Sequence, residues 1–379
     1  MTISPGIDVL LEADRHLDRL LGHDIGLITN QTGVTRSLDY NREAMIDAGI
    51  DLVKLYSPEH GIWGVHGAGE EIDDYTDDLT GVPCHSLYGE VRTPTAEMLD
   101  GVDVLVFDIQ DAGPRCWTYT ATMINCMRGA ANANIPYVVL DRPNPLTGTL
   151  VDGRPVEPGF ESFVGHWDVP MVYGLTLGEL AGFANEEYSI GADLDVIELA
   201  GWERDMWFDD TGLLWGPSSP ALFSLDKALV YPGTVLLEGT NVSSGDGRHG
   251  PMMMAAPWLA MDETVELARE HIERHELRGV RLRKAKFRSE GNIQQGFHIH
   301  VADREQFRPF RTAVVLLHII ASQHPDEFEW TKPEHADRLA GNDKLRGLIA
   351  GDTAVDGLLA FVDEGVDAFI EQRSPYLRY

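Results

Sequence analysis

The first 140 residues repeat one order of segments: an apolar run, a polar loop and a helix-like stretch. The apolar runs predict strands at residues 25–28, 52–56, 84–87, 103–107 and 137–140. The spacing of apolar residues predicts helices at residues 6–21, 38–48 and 116–132. Alternating strands and helices are typical of a parallel sheet with helices on both faces. We therefore predict an α/β fold built on a doubly wound, mostly parallel sheet.

Each predicted strand is followed by polar side chains at its carboxyl end. In chain order these are Asn30 and Gln31, Glu59 and His60, Glu90, Asp108, Gln110 and Asp111, and Asp141 and Arg142. Ligands of open α/β sheets bind beyond the carboxyl ends of the strands. Helix capping and loop bracing explain such residues one at a time, but their recurrence favours a binding site.

The segment after the fourth strand is the richest of these ends. Two carboxylates are followed by a break at Gly113-Pro114 and by a predicted helix that carries Arg115 and Tyr119. Carboxylates and an arginine at such a position are suited to acid–base chemistry and to anion binding.

The chain after residue 150 predicts further elements of the first domain and then, beyond about residue 260, a second, smaller α/β domain. Residues 176–187 predict a helix with a capping box of Thr176 and Glu179. Residues 231–250 predict a strand-like run that leads into a glycine-serine loop, with Glu238 and Asn241 at the transition. Beyond residue 260 we predict a helix, two strands, a helix and two C-terminal helices. A chain of 379 residues exceeds the usual size of one core, and we predict domains at 1–258 and 259–379.

The charge balance excludes some partners. The chain has 61 acidic and 30 basic residues and a formal net charge of −31, which opposes binding to nucleic acid. Only six of the basic residues are lysines, and an acid-rich, lysine-poor surface indicates a halophilic adaptation to high ionic strength. The apolar runs are too short to span a membrane, the N-terminus lacks a signal-peptide pattern, and the three cysteines lack CxxC spacing. We expect a soluble, cytoplasmic protein.

Nucleotide and metal motifs are missing from the sequence. It contains neither GxGxxG after the first strand nor GxxxxGK[ST]. His271 and His275 lie in HIERH rather than HExxH, and His298 and His300 have no third ligand nearby in the sequence. We predict no cofactor and no metal.

With these residues in view, the chain resembles the exo-β-N-acetylmuramidase family of glycoside hydrolases. Among the stretches that carry the resemblance are GLITNQTGV (26–34), SPEHGIWG (57–64), VLVFDIQDAGPRCWTYTATM (104–123), VVLDRPNPLTG (138–148), YGLTLGELA (173–181) and YPGTVLLEGTN (231–241). The resemblance implies a Rossmann-like N-terminal domain, a smaller α/β domain and an active site in the cleft between them. It also implies release of a terminal N-acetylmuramic acid, or a related amino sugar, from the non-reducing end of a small glycan.

The resemblance implies that Glu59, in the SPEHG motif, is the catalytic carboxylate. Glycoside hydrolysis normally needs two carboxyl groups, so Glu59 is our predicted acid. Asp108, Asp111 and Glu90 are open candidates for its partner. The predicted sugar-binding residues are Asn30, Gln31, His60, Gln110, Arg115, Tyr119, Asp141, Arg142, Glu238 and Asn241.

Two points stay open at this stage. Arg115 and Arg142 suit the carboxylate of muramic acid, but each arginine is equally suited to bracing Asp111 or Asp141. The chain also departs from the family pattern at Met171, Val172 and residues 243–254, which keeps a non-catalytic carbohydrate-binding protein as an alternative. A metal-dependent hydrolase using Asp108, Asp111, Asp141 and His60 is the other alternative.

Overall fold

The structure, a computed structural model, describes residues 2–246, 249–289 and 291–379. It contains a seven-stranded sheet and a three-stranded sheet, each packed against helices. Gly247 and Arg248, which belong to the predicted glycine-serine loop, lie outside the described residues. No helix in the described part of the chain has the length and apolar character needed to cross a membrane.

The larger sheet confirms the predicted doubly wound topology. Its strands are β1 (Asp24–Thr29), β2 (Asp51–Ser57), β3 (Tyr75–Thr76), β4 (Pro83–Ser86), β5 (Val104–Asp108), β6 (Tyr137–Leu140) and β7 (Leu194–Ile197). Their order is β3-β4-β2-β1-β5-β6-β7, and all neighbours are parallel except β3 and β4. The strand order runs from β1 toward one edge of the sheet and from β5 toward the other, so these two parallel strands form the switch point of the topology. A crevice is expected beyond their carboxyl ends.

Helices cover both faces of this sheet. They are α1 (Gly6–Glu12), α2 (Asp14–Leu17), α3 (Asn41–Asp47), α4 (Thr118–Ala133) and α5 (Leu177–Glu187). β5 shows why both faces are covered: Val104 and Val106 belong to the core with α1 and α3, whereas Leu105 and Phe107 belong to the core with α4 and α5. Side chains alternate along a strand, so a continuous apolar run needs a core on each side.

Two local predictions have opposite outcomes. The capping box of α5 is confirmed, because Glu179 N donates to Thr176 Oγ1 at 3.2 Å and Thr176 N donates to Glu179 Oε2 at 3.0 Å. The single helix predicted at 6–21 was wrong. It is divided at Ala13, which has extended backbone angles (φ −121°, ψ 108°).

The second sheet is antiparallel and lies among the remaining helices. Its strands are β8 (Met253–Ala256), β9 (Val280–Ser289) and β10 (Asn292–Val301), in the order β8-β10-β9. The helices are α6 (Leu225–Thr234), α7 (Met261–Arg274), α8 (Pro309–Gln323), α9 (Pro333–Ala340), α10 (Lys344–Ala350), α11 (Val355–Asp363) and α12 (Val366–Arg373). Short 3₁₀ turns occur at Phe208–Thr211, Val235–Gly239 and Ser374–Tyr376. Four helices follow α8, whereas the sequence predicted two.

The strand predicted from residue 231 was wrong, because this run continues α6 into the 3₁₀ turn Val235–Gly239. Its apolar residues pack in the core around α8. Gly233 permits this packing, since a Cβ atom there would lie 2.2 Å from the carbonyl oxygen of Pro309. Tertiary contact has therefore outweighed the strand propensity of a β-branched run.

β8 and α6 contact β10 and α8 although both precede residue 259, and the exact domain boundary stays a prediction.

Candidate active site

A cavity of about 490 Å³ lies at the carboxyl edge of the large sheet, where the sheet meets the second domain. The large-sheet domain contributes the loop after β2, Tyr88 after β4, the start of α4 and residues 219–222. The other wall contains Tyr231 of α6, Glu238 of the 3₁₀ turn and the flank of α9. The cavity thus occupies a cleft between two groups of elements.

Glu59 lies two residues beyond β2 and is held at both carboxylate oxygens. Oε1 accepts a hydrogen bond from the backbone N–H of Gly69 (2.9 Å), and Oε2 accepts one from Thr118 Oγ1 (2.7 Å). The residue is only 8% exposed and lines the cavity. Because a threonine hydroxyl can donate or accept, Thr118 is able to orient Glu59 in either protonation state.

His60 fixes the loop that holds Glu59. Its Nδ1 lies 2.8 Å from the carbonyl oxygen of His66. Since a carbonyl oxygen only accepts, Nδ1 carries a proton in this contact. His60 adopts a left-handed backbone (φ +72°), which is uncommon outside glycine. The residue therefore supports Glu59 through the 60–69 loop.

Glu238 brings a second carboxylate to the same cavity. Its Oε2 lies 3.1 Å from His335 Nε2, and its Oε1 accepts a weaker hydrogen bond from the Tyr231 hydroxyl (3.4 Å). Burial and the negative charges of Glu238 and Glu59 raise the pKa of Tyr231. The Tyr231 hydroxyl therefore stays protonated and donates to Glu238.

Aromatic side chains form part of the cavity wall. Trp117 and Tyr231 pack edge to face with ring centroids 5.6 Å apart. Burial and the nearby charge of Glu59 raise the pKa of Tyr88 to about 12. The cavity thus combines two carboxylates with neutral aromatic donors, a composition suited to a polar ligand with apolar ring faces.

The structure places Asp108 and Arg142 in a buried ion pair away from this cavity. Arg142 Nε and Nη2 donate to the two Asp108 oxygens at 2.5 and 2.9 Å, and Asn41 Nδ2 donates to Asp108 at 2.8 Å. Arg142 Nη2 also donates to the carbonyl oxygen of Val34. This pair joins the ends of β5 and β6.

Asp111 and Asp141 also bond to protein donors. Asp111 accepts from the Tyr173 hydroxyl (2.5 Å) and Gly113 N (2.9 Å), and burial raises its pKa to about 6. Asp141 accepts from Gly178 N at the start of α5 (2.8 Å), and burial raises its pKa to about 6 as well. Neither residue lines the cavity.

Arg115 connects the two domains. Its guanidinium donates to the carbonyl oxygens of Arg154 and Val169 and, across the interface, to those of Leu339 and Ala340. Burial lowers its pKa to about 10. Both terminal nitrogens of Arg115 are thus bound by backbone acceptors beneath the cavity wall, while its Nε has no hydrogen-bond partner among the described residues.

The remaining predicted residues divide into three groups. Gln31 Nε2 and the Tyr119 hydroxyl donate to the carbonyl oxygen of Ser218 (3.2 and 2.5 Å), which anchors the loop that lines the cavity at 219–222. Residues that bond within loops outside the cavity lining are Asn30, Gln110 and Asn241. Glu90 is exposed and is also outside that lining.

The structure therefore brings Glu59, His60 and Glu238 together from the predicted set. It adds residues that the sequence analysis missed, namely Tyr88, Trp117, Thr118, Tyr231, Lys332 and His335. Thr118 and Trp117 lie between the predicted Arg115 and Tyr119, so their position beside a strand end was an available signal. Lys332 and His335 are distant in sequence and lacked such a signal.

The ligand set considered for a metal-dependent hydrolase is not assembled. Within residues 2–246, 249–289 and 291–379, no group of three or more histidine, cysteine or acidic side chains has an arrangement that could hold a metal ion. Asp108 and Asp141 direct their oxygens to protein donors instead.

Comparison with known proteins gives consistent matches along the chain. The family model described as exo-beta-N-acetylmuramidase NamZ, N-terminal, matches residues 25–226, and its C-terminal counterpart matches residues 229–379. Peptidoglycan beta-N-acetylmuramidase NamZ of Bacillus subtilis (strain 168) is 39% identical over 384 residues, covering 100% of this chain and 91% of the relative.

Two crystal structures of DUF1343 family proteins from Bacteroides fragilis NCTC 9343 are also similar. One has a TM-score of 0.89 at 34% identity, and the other has a TM-score of 0.77 at 25% identity. Each alignment covers 100% of this chain and 99% of the other chain. The similarity therefore extends over both sheets.

Proposed function

Because the chain belongs to the exo-β-N-acetylmuramidase NamZ family, we propose that it is an exo-acting glycoside hydrolase. It releases a terminal N-acetylmuramic acid, or a related amino sugar, from the non-reducing end of a small glycan. The observation that carries this proposal is a pair of carboxylates, Glu59 and Glu238, lining one cavity at the carboxyl edge of the sheet.

Glu59 acts as the general acid. A glycosidic oxygen is a poor leaving group until it is protonated. Glu59 is oriented at both oxygens by Gly69 and Thr118, so its proton can be presented in a fixed direction. Such positioned acid catalysis typically contributes about 10²–10⁴-fold to the rate.

Glu238 is the partner carboxylate in this mechanism. Its place is supported by its position in the same cavity and by the contacts of His335 and Tyr231, which hold its two oxygens. Asp108 and Asp111 are less suitable, because each is buried and bonded to protein donors outside the cavity. Glu90 and Glu238 are both exposed, but only Glu238 lines the cavity.

The proposed setting is a cytoplasm of high ionic strength. The excess of 61 acidic over 30 basic residues supports a halophilic adaptation, because salt screens the self-repulsion of such a chain. Cys84, Cys116 and Cys126 are all unpaired and buried, which is compatible with a reducing compartment.

The test is hydrolysis of a chromogenic β-N-acetylmuramide by the wild type and by single variants. Glu59→Gln should lower kcat by about 10²–10⁴-fold, because the amide keeps the size of the side chain but lacks the acidic proton. Glu238→Gln should also lower kcat strongly. Glu90→Gln is the matched control, since it makes the same change at an exposed glutamate outside the cavity.

Near-normal turnover by Glu59→Gln would remove Glu59 from the mechanism. Wild-type protein that binds the sugar but releases no product over long incubation would instead favour the carbohydrate-binding alternative. Circular dichroism of each variant establishes that a lost rate does not come from a lost fold.

A further inference from the structure

The cavity contains one cationic side chain that its neighbours leave unpaired. Lys332 is the single lysine or arginine among the described residues that line it. Across the described part of the chain, Lys332 has no carboxylate within ion-pair distance. His335, three residues along, is different because it contacts Glu238.

Lys332 is exposed at the mouth of the cavity, and its charge is unpaired in a protein with twice as many acidic as basic residues. About half of the lysines and arginines in the described part of the chain pair with a carboxylate, as Lys284 does with Asp262, Lys344 with Glu157 and Arg346 with Asp337. A charged group in a cavity wall that lacks a protein partner is suited to a ligand of opposite charge.

Backbone contacts fix the position of Lys332 relative to the reacting groups. Its N–H donates to the carbonyl oxygen of Gly239 at 3.0 Å, directly after Glu238. Lys332 also immediately precedes α9, so the positive end of that helix dipole lies beside it. The lysine backbone is therefore anchored next to the residue that follows Glu238, and the flexible side chain lines the cavity.

We propose that Lys332 binds a carboxylate of the substrate and thereby gives the enzyme its selectivity for acidic amino sugars. This inference rests on the proposed function, and it assigns a specificity-determining residue to the same cavity. The lactyl group of N-acetylmuramic acid supplies such a carboxylate, whereas N-acetylglucosamine has none. The ammonium donates to the carboxylate oxygens in a charge-assisted hydrogen bond.

The two arginines expected to bind this carboxylate have other partners. Arg115 donates to four backbone carbonyl oxygens, and Arg142 is paired with Asp108. The net charge of −31 repels an anion at long range. A local cation at the cavity wall offsets this repulsion at the point of contact, where the two opposite charges are close.

The experiment measures binding, so that it does not depend on turnover. Isothermal titration calorimetry compares free N-acetylmuramic acid with free N-acetylglucosamine on the wild type and on Lys332→Gln, Lys332→Arg and Lys286→Gln. Lys286→Gln is the matched control, because it removes the same charge from an exposed lysine of β9 outside the cavity.

The wild type should bind the acidic sugar more tightly than the neutral one. Lys332→Gln should weaken binding of the acidic sugar by about tenfold and leave the neutral sugar unchanged. Lys332→Arg should keep most of the preference, and Lys286→Gln should match the wild type. In hydrolysis, Lys332→Gln should raise KM for the acidic substrate with little change in kcat.

An unchanged ratio of the two affinities in Lys332→Gln, or an equal loss on both sugars, would overturn the proposal. A wild type without preference for the acidic sugar would overturn it as well. Failure of the proposed hydrolase function gives a different pattern, in which selective binding is retained but no sugar is released.

Discussion

The ion pair between Asp108 and Arg142 should stabilise the fold without taking part in catalysis, and this can be tested by breaking it. Arg142→Met removes two of the three side-chain hydrogen bonds to Asp108 and leaves a carboxylate that is 0% exposed with Asn41 as its remaining side-chain donor. Breaking a buried pair from one side typically costs about 3–5 kcal/mol of unfolding free energy. Turnover per folded molecule should change little, because neither residue lines the cavity.

Urea unfolding followed by tryptophan fluorescence measures the free energy, and kcat at a temperature below the transition measures function. Glu270→Gln is a control for a lost ion pair, since its partner Arg274 and Glu270 itself are both more than half exposed, and it should have little effect on stability. The double variant Arg142→Met, Asp108→Leu should be less destabilised than Arg142→Met, because it leaves no buried charge unpaired. Loss of turnover in Arg142→Met at unchanged unfolding free energy would show that the pair takes part in catalysis or in substrate binding, contrary to this prediction.

Two further predictions concern solution conditions. Asp152 accepts a hydrogen bond from Phe310 N at the start of α8, and burial raises its pKa to about 6. The folded state therefore binds the Asp152 proton more tightly than the unfolded state does. The resulting stabilisation, up to about 3 kcal/mol, is present below pH 4 and is lost as the pH rises through about 6. Asp152→Asn should make the dependence of unfolding free energy on pH less steep between pH 4 and 7, where Asp111 and Asp141 also contribute, and an unchanged slope would contradict the assignment. The melting temperature of the wild type should rise between low and molar NaCl as salt screens the net charge of −31, and a melting temperature that does not rise would count against halophilic adaptation.

Much of the large sheet was predictable because its signals are local. The apolar run of β5 needs a core on both faces wherever it lies, and the capping box of Thr176 and Glu179 is complete within four residues. The run after residue 231 was mispredicted because its helical form depends on contact between Gly233 and α8, which is more than 70 residues away in sequence.

The active site was only partly predictable for a related reason. A polar residue at a strand end has the same local sequence whether it faces a ligand or bonds to a neighbouring helix. Glu59 faces the cavity, whereas Asp141 accepts hydrogen bonds at the start of α5. Lys332 and His335 reach the cavity from the opposite domain, and pairing across a domain interface leaves no pattern in a single sequence.

The proposed exo-glycosidase removes one sugar at a time from the non-reducing end of a glycan. The most direct measurement is mass spectrometry of the products formed by the wild type from a short peptidoglycan-derived oligosaccharide labelled at its reducing end and ending in N-acetylmuramic acid. The wild type should form free N-acetylmuramic acid together with a labelled glycan shorter by one residue, and Glu59→Gln should form neither product. Labelled fragments from internal cleavage, or an intact oligosaccharide after prolonged incubation with folded wild-type protein, would contradict it.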